Sequence, residues 1–199
     1  MTNRLLVATQ NRGKRDEFAL LLAGLDLELV MPSEIGLDLV VTETGETYAE
    51  NALLKARAYA QASGLLTLAD DSGLEVDALE GAPGVYSARY GGPGGTDEDR
   101  YWLLLRNLDR VPPSQRGARF CCVIALVWPD GREATAEGIC EGRITRAPRG
   151  KNGFGYDPIF WVIERGCTMA ELAPEVKSAI SHRARAASAA RRILERLAH

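Results

Sequence analysis

Apolar residues fall along this chain in two rhythms, and their alternation lays out the elements. Leu5-Leu6-Val7-Ala8 is a short continuous apolar run, as in a strand buried on both faces. The polar segment Thr9-Gln10-Asn11-Arg12-Gly13-Lys14 reads as a loop. Phe18, Leu21, Leu22 and Leu25 then recur at i, i+3, i+4 and i+7, one apolar helix face. Leu27, Leu29 and Val30 suggest a second strand ending at Met31-Pro32. Thr47-Tyr48-Ala49-Glu50 has capping-box spacing, and the Ala-rich stretch to Ala62 predicts a helix ending at Gly64. Leu65 to Ala69 predicts a strand that stops at Asp70-Asp71-Ser72-Gly73. Glycines 81, 84, 91, 92, 94 and 95 mark a long loop, and Thr96-Asp97-Glu98-Asp99 opens a helix through Leu108. Arg119–Trp128 and Glu133–Ile144 flank Pro129-Asp130-Gly131-Arg132 and predict a hairpin. A Gly-rich loop from Gly150 to Asp157 precedes a strand at Pro158–Val162, and Glu175–Leu197 predicts one long helix. Strands alternating with helices imply an α/β fold with a mixed sheet.

Composition narrows the partners. The 199 residues fit one compact domain, or two lobes sharing a sheet, with 46% hydrophobic and 26% charged residues. A net charge of −3 gives no basic surplus for duplex nucleic acid, so any phosphate is held by local donors and a cation. Cys121, Cys122, Cys140 and Cys167 form no C-x-x-C pair and read as reduced thiols, which fits a cytoplasmic address. Met1–Thr9 holds too short an apolar stretch for a signal peptide, and the run Cys121–Trp128 is far short of a membrane span. With His182 and His199 the only histidines and no paired cysteine spacing, the sequence argues against a His/Cys zinc site. A metal here takes oxygen ligands, hence Mg2+, or Mn2+ in its place.

The chemistry-bearing residues follow. Two adjacent carboxylates, Asp70 and Asp71, at the end of an apolar strand are expensive to bury unpaired, and suggest a ligand, often a metal. Asp-Asp-Ser-Gly also suits an ordinary strand exit. Neighbours on a strand face opposite sides, so both can meet one ion only if the chain turns there; otherwise one holds the metal and the other a water. Thr9 to Lys14 sits between strand and helix, where Gly13 admits close approach and Lys14 and the helix start attract anions. Glu50 is explained as the capping-box partner of Thr47, whereas Glu43 caps nothing; Lys55 is a helix-surface lysine or the partner of a nearby acid. Phe154 and Tyr156, spaced by glycine before Asp157, offer either a stacking surface for a base or half-buried turn rings. Lys177 and Ser181-His182-Arg183 read in isolation as a solvated basic face. Together these groups supply what a nucleoside triphosphate needs: a phosphate loop, lysines, a carboxylate metal site and an aromatic platform.

The sequence resembles the inosine/xanthosine triphosphate pyrophosphatase family. The resemblance rests on Ala8-Thr9-Gln10-Asn11-Arg12-Gly13-Lys14, on Glu43-Thr44-Gly45 with Glu50-Asn51-Ala52-Leu53-Leu54-Lys55-Ala56, and on Ala69-Asp70-Asp71-Ser72-Gly73-Leu74. It extends through Gly81-Ala82-Pro83-Gly84-Val85-Tyr86-Ser87-Ala88-Arg89-Tyr90, Gly153-Phe154-Gly155-Tyr156-Asp157-Pro158-Ile159-Phe160 and Lys177-Ser178-Ala179-Ile180-Ser181-His182-Arg183. Gln10 departs from a small residue common at that position, and nothing between Gly91 and Arg119 is diagnostic.

The resemblance implies one nucleoside triphosphate pyrophosphatase domain over residues 1–199. Its expected form is two-lobed, with a long mixed central sheet flanked by helices and the active site in a cleft between lobes. It implies Mg2+-dependent hydrolysis of ITP, dITP and XTP to monophosphate and pyrophosphate, a homodimer, and neither a nucleic-acid nor a membrane partner. By position, Thr9, Gln10, Asn11, Arg12, Gly13, Lys14 and Lys55 bind phosphates. Glu43, Asp70 and Asp71 form the metal-and-water site, with Asp71 the general base and Asp70 and Lys14 also catalytic. Ser72 contacts substrate, Phe154, Gly155, Tyr156 and Asp157 hold the base and sugar, and Lys177, His182 and Arg183 reach the purine. Donors of Arg183 aimed at a 6-keto oxygen would reject adenine. The rival readings are a Maf-like pyrophosphatase and a nucleotide sensor without turnover. The Ala-rich last helix and the hairpin are candidate dimer surfaces.

Overall fold

The chain's first apolar run becomes the middle of a parallel trio. In the computed structural model, which describes residues 4–197, β1 (Arg4–Val7) pairs in parallel with β2 (Glu28–Val30) on one side and β3 (Leu66–Val76) on the other. His199 and the start of the Met1–Thr9 stretch lie outside the described residues. Helices α1 (Arg12–Leu21) and α2 (Tyr48–Ser63) supply the crossovers. Then come α3 (Asp97–Asn107), β4 (Gly117–Val127), β5 (Glu133–Ile144), β6 (Phe160–Val162), β7 (Cys167–Thr168), α4 (Pro174–Ile180) and α5 (His182–Leu197). Among the described residues the strands form one mixed sheet of order β2-β1-β3-β4-β5-β6-β7, antiparallel at β5-β6-β7. This is the predicted α/β class.

The chain divides into two compact units: Met1–Asp71 with Cys122–Gly138 and Arg183–His199, and Ser72–Cys121 with Ile139–His182. In the first, strand alternation sorts side chains onto two faces. Leu5, Val7, Leu68, Cys122 and Ile124 pack with Phe18 of α1 and Ala186, Ala187 and Ala190 of α5. Leu6, Ala69, Val123 and Ala125 pack with Ala52, Ala56 and Tyr59 of α2. The alanines of α5 are therefore core, and the Ala-rich face is not a dimer surface: small side chains let the helix lie close on the sheet. In the second unit Leu74, Val76, Phe120, Cys140, Ile144 and Phe160 form a core with Leu104 and Leu108. All four cysteines are free thiols, and no described helix is long and apolar enough to cross a membrane.

Local signals explain several boundaries. Thr47 caps α2 by accepting from Glu50 N while the Glu50 carboxylate accepts from Thr47 N, and Gly64 closes the helix in the left-handed region at φ 67°. The β4–β5 turn is closed by Trp128 N on Arg132 O and Gly131 N on Trp128 O.

Three element boundaries need correction. β3 does not stop at Ala69 but runs through Asp70-Asp71-Ser72-Gly73 to Val76, because each carboxylate finds its own buried partners. α1 begins at Arg12, so Gly13 and Lys14 belong to its first turn, where Asn11 Oδ1 accepts from Lys14 N at 3.1 Å. The C-terminal helix is two helices: Ser181 adopts φ −66°, ψ 159° and interrupts it. No Gly or Pro marks that break; it serves the burial of Ser181, His182 and Arg183.

Candidate active site

Adjacent residues on a strand point to opposite faces, and at Asp70 and Asp71 this separates two acids one peptide apart. Asp70 faces α1 and α5. Its Oδ2 lies 2.9 Å from Lys14 Nζ and 3.3 Å from Arg183 Nε, with Cys122 Sγ at 3.9 Å. Arg183, 2% exposed, continues through Nη1 to Glu17 Oε2 at 2.5 Å. Burial alone would raise the Asp70 carboxyl, but Lys14, then Arg183 and Lys55, outweigh it and hold the pKa well below the usual carboxylate range. Burial, reinforced by the Asp70 charge, pushes the Cys122 thiol up to about 12, so it stays neutral.

Asp71 faces α2. Asn51 and Lys55 stand one helical turn apart on the same helix face and both reach it. Asn51 Nδ2 donates to Asp71 Oδ2 at 3.2 Å, and Lys55 Nζ lies 3.5 Å from Asp71 Oδ1. Lys55 Nζ also lies 2.5 Å from Glu43 Oε1, so one ammonium joins the two carboxylates. Its side chain is 14% exposed. Burial would lower the Lys55 pKa, yet Asp71, Asp70 and Glu43 together raise it. For Asp71 the balance is opposite: burial pushes its carboxyl up, Lys55 pulls against this, and Glu43 adds to the rise. A carboxylate above its usual range is a better proton acceptor near neutrality.

Asn51, fully buried, also accepts from Gly45 N at 2.8 Å and donates to Gly45 O at 3.3 Å. It thus ties the segment carrying Glu43 to the acid on β3. A Cβ at Gly45 would fall 2.6 Å from Glu50 Cβ and 2.8 Å from Asn51 Oδ1, so only glycine fits. Beside this site the start of α1 leaves the N–H groups of Arg12 and Gly13 without intrahelical acceptors. A cavity of about 520 Å³ adjoins it, lined by Thr9, Gln10, Asn11 and Arg12 with Ser33 and Asp38.

The second unit holds another constellation. Lys177 Nζ is buried 2.6 Å from Asp157 Oδ2 and lies 4.7 Å from the centroid of the Phe154 ring. Asp157 Oδ2 also accepts from Phe154 N at 3.0 Å. A Cβ at Gly153 (φ 77°) would fall 2.0 Å from that oxygen, so the tight loop requires glycine. His182 stacks on Phe120 at 4.7 Å.

Residues 5–193 match the Ham1 family. A dITP/XTP pyrophosphatase of Symbiobacterium thermophilum is 53% identical over 197 residues, covering 98% of this chain and 94% of that protein. This chain belongs to the Ham1 family. Another similar protein is the dITP/XTP pyrophosphatase of Geobacter sulfurreducens, 51% identical over 92% of each chain. Among solved structures, the HAM1 protein of Coxiella burnetii superposes with a TM-score of 0.88 at 44% identity, covering 97% of this chain and 98% of that one.

Set against the Ham1-family expectations, the site residues fall into groups. Thr9–Lys14, Glu43, Lys55, Asp70, Asp71 and Arg183 belong to the first unit. Ser72, Phe154–Asp157, Lys177 and His182 belong to the second. Glu43 and Asp71 share one cation, but Asp70 does not join them. Among the described residues no three His, Cys, Asp or Glu side chains converge on one metal position, because the strand does not turn between the two acids. Arg183, expected at the purine, is instead buried against Asp70 and Glu17. Tyr156 is no stacking surface; its ring is buried and its OH donates to Ser87 O at 2.9 Å. Asn51 and Glu17 were not among the expected site residues. The spacing of Asn51 to Lys55 was the available signal for the first, while Glu17 meets Arg183 from 166 residues away.

Proposed function

We propose that this Ham1-family chain hydrolyses non-standard purine nucleoside triphosphates, dITP, XTP and ITP, to the monophosphate and pyrophosphate. The observation that carries the reading is the Asp71 carboxylate held between Asn51 and Lys55, with Glu43 on the same ammonium. Relatives named dITP/XTP pyrophosphatase match over more than nine-tenths of the chain.

Asp71 takes the proton of a water attacking the α-phosphorus. A P–O bond forms to that water, the α–β bridging bond breaks, and pyrophosphate leaves. Asn51 fixes which edge of the carboxylate faces the water. The first turn of α1 offers backbone N–H groups to the phosphates, and Lys14 and Lys55 offset their charge. Asp70, kept ionised by Lys14 and Arg183, fixes Lys14 relative to the sheet.

The oxygens of Glu43 and Asp71, already gathered around one cation, are the hard donors that Mg2+ takes beside waters and phosphates. This pair fits Mg2+, or Mn2+ in its place, and would hold it. When bound, the ion neutralises phosphate charge and acidifies a water. In the second unit, the Phe154 ring backed by Lys177 seats the base. The chain acts as a homodimer on the cytoplasmic nucleotide pool, a reading that sedimentation and cell fractionation test.

The experiment is pyrophosphate release from dITP, XTP, ITP, ATP and GTP with Mg2+, with inorganic phosphate counted in parallel. Pyrophosphate from the first three and little from ATP or GTP is the expected result. Inorganic phosphate as the product would refute attack at the α-phosphorus. Binding without turnover would leave a sensor.

A further inference from the structure

The segment between Gly91 and Arg119 carries no recognisable motif, yet one of its side chains reaches the loop that bears Phe154. Asp97, the first residue of α3, accepts from Gly155 N through Oδ2 at 2.7 Å, across 58 residues of sequence. Its other oxygen lies 2.8 Å from Arg100 Nη1, one turn further along the helix. The next amide back, Phe154 N, donates to Asp157 Oδ2, the oxygen that also takes Lys177. Two consecutive amides flanking the Phe154 side chain are thus each held by a carboxylate from a different element.

We infer that Asp97, oriented by Arg100, is a positioning residue that sets the plane of the Phe154 ring for the base of the substrate. The inference rests on the reading that this ring seats the base. A ring on a single-residue stalk between glycines 153 and 155 has little backbone stiffness of its own. Asp157 and Lys177 restrain it from the Phe154 side. Asp97 is the restraint on the Gly155 side, and it comes from a helix that the capping box Thr96–Asp99 fixes independently. Asp97 is half exposed, at 50% of its side-chain surface, so its bond adds little to overall stability and its effect falls on loop geometry.

The test is steady-state kinetics with XTP and Mg2+ for wild type, Asp97→Ala, Asp97→Asn, Phe154→Ala and the double variant Asp97→Ala/Phe154→Ala, each with a thermal unfolding curve. Asp97→Ala should raise KM by about threefold to tenfold, as for loss of one ordinary hydrogen bond, with kcat within about twofold. Asp97→Asn keeps an acceptor oxygen and should return KM to within about twofold of wild type. Both lose the helix-start charge and the Arg100 pair, so any Tm loss should be common to them. In the Phe154→Ala background Asp97→Ala should have no further effect on KM.

An unchanged KM in Asp97→Ala, an Asn variant as impaired as the Ala variant, or additivity with Phe154→Ala would each overturn the positioning role. An unchanged KM in Phe154→Ala itself would instead refute the ring as the base's seat, and the inference would fall with it.

Discussion

Replacing Arg183 with methionine removes a guanidinium that joins two acids: Asp70 Oδ2 at 3.3 Å and Glu17 Oε2 at 2.5 Å. The side chain is 2% exposed and touches the face of the sheet packed against α1 and α5. Breaking a buried pair by deleting one partner costs about 3–5 kcal/mol, because the other charge stays behind. Two features moderate this here. Asp70 retains Lys14 at 2.9 Å, and Glu17, 15% exposed, can turn toward water. The lower end, about 3 kcal/mol, is therefore expected. For a chain of this length that lowers Tm by roughly 6–12 °C.

The same variant alters acid stability. Asp70 is depressed in the folded state, so its stabilisation is complete above the ordinary carboxylate pKa of about 4 and is lost as pH falls through the folded value. Removing Arg183 raises the folded pKa, so acid unfolding should begin at higher pH than in wild type. Thermal and acid unfolding by circular dichroism, with XTP kinetics alongside, measures both. Arg183→Lys should fall in between, since a lysine keeps the charge but lacks the separate nitrogens with which the guanidinium reaches Asp70 (Nε, Nη2) and Glu17 (Nη1). An unchanged Tm and acid midpoint with KM raised tenfold or more would refute the argument and return Arg183 to the purine.

Other expectations follow from single contacts. Asp71→Asn should lower kcat by about 10²- to 10⁴-fold with substrate binding largely kept, read by single-turnover kinetics and equilibrium titration; retained turnover removes Asp71 as the base. Gly45→Ala drives a Cβ into Glu50 and Asn51, so it should cost about 1–3 kcal/mol in urea unfolding and slow turnover through Asn51. Arg116 is buried and donates to the carbonyls of Leu108, Val111 and Thr145 at 2.5–3.0 Å. Arg116→Met should therefore destabilise by about 2 kcal/mol or more, with kcat per folded molecule unchanged.

The elements legible in the sequence are those whose determinants lie close together in it. α2 announces both ends within a few residues, through Thr47, Glu50 and Gly64. β5, predicted from the turn at Pro129-Asp130-Gly131-Arg132, spans Glu133–Ile144 and alternates exposed and buried positions. The misread places have distant causes. Asp-Asp-Ser-Gly looks like a turn because nothing nearby can neutralise a mid-strand acid; the cations that do so are Lys14 and Arg183, the second 113 residues away. The interruption at Ser181 has no local breaker and exists to send Lys177 toward Asp157 and Arg183 toward Asp70. In the site, Glu43 is visible as a residue without a structural excuse, and Lys55 as a helix lysine that a nearby acid could pair. Asn51 was hidden in plain periodicity, one turn from Lys55, because a buried asparagine carries no charge to draw notice.

The parity of β3 also constrains how such a chain can vary over generations. With its anchoring acid and its proton-accepting acid on consecutive residues, inserting a single residue just ahead of them would carry the former to Asn51 and Lys55, and deleting one would carry the latter to Lys14 and Arg183. In either case the other acid is moved away from both sets of partners, so such a slip leaves one buried carboxylate uncompensated and the site inert. Length changes are therefore expected to accumulate in the loops at either end of this strand and to be purged from within it, even where hydrophobicity is conserved.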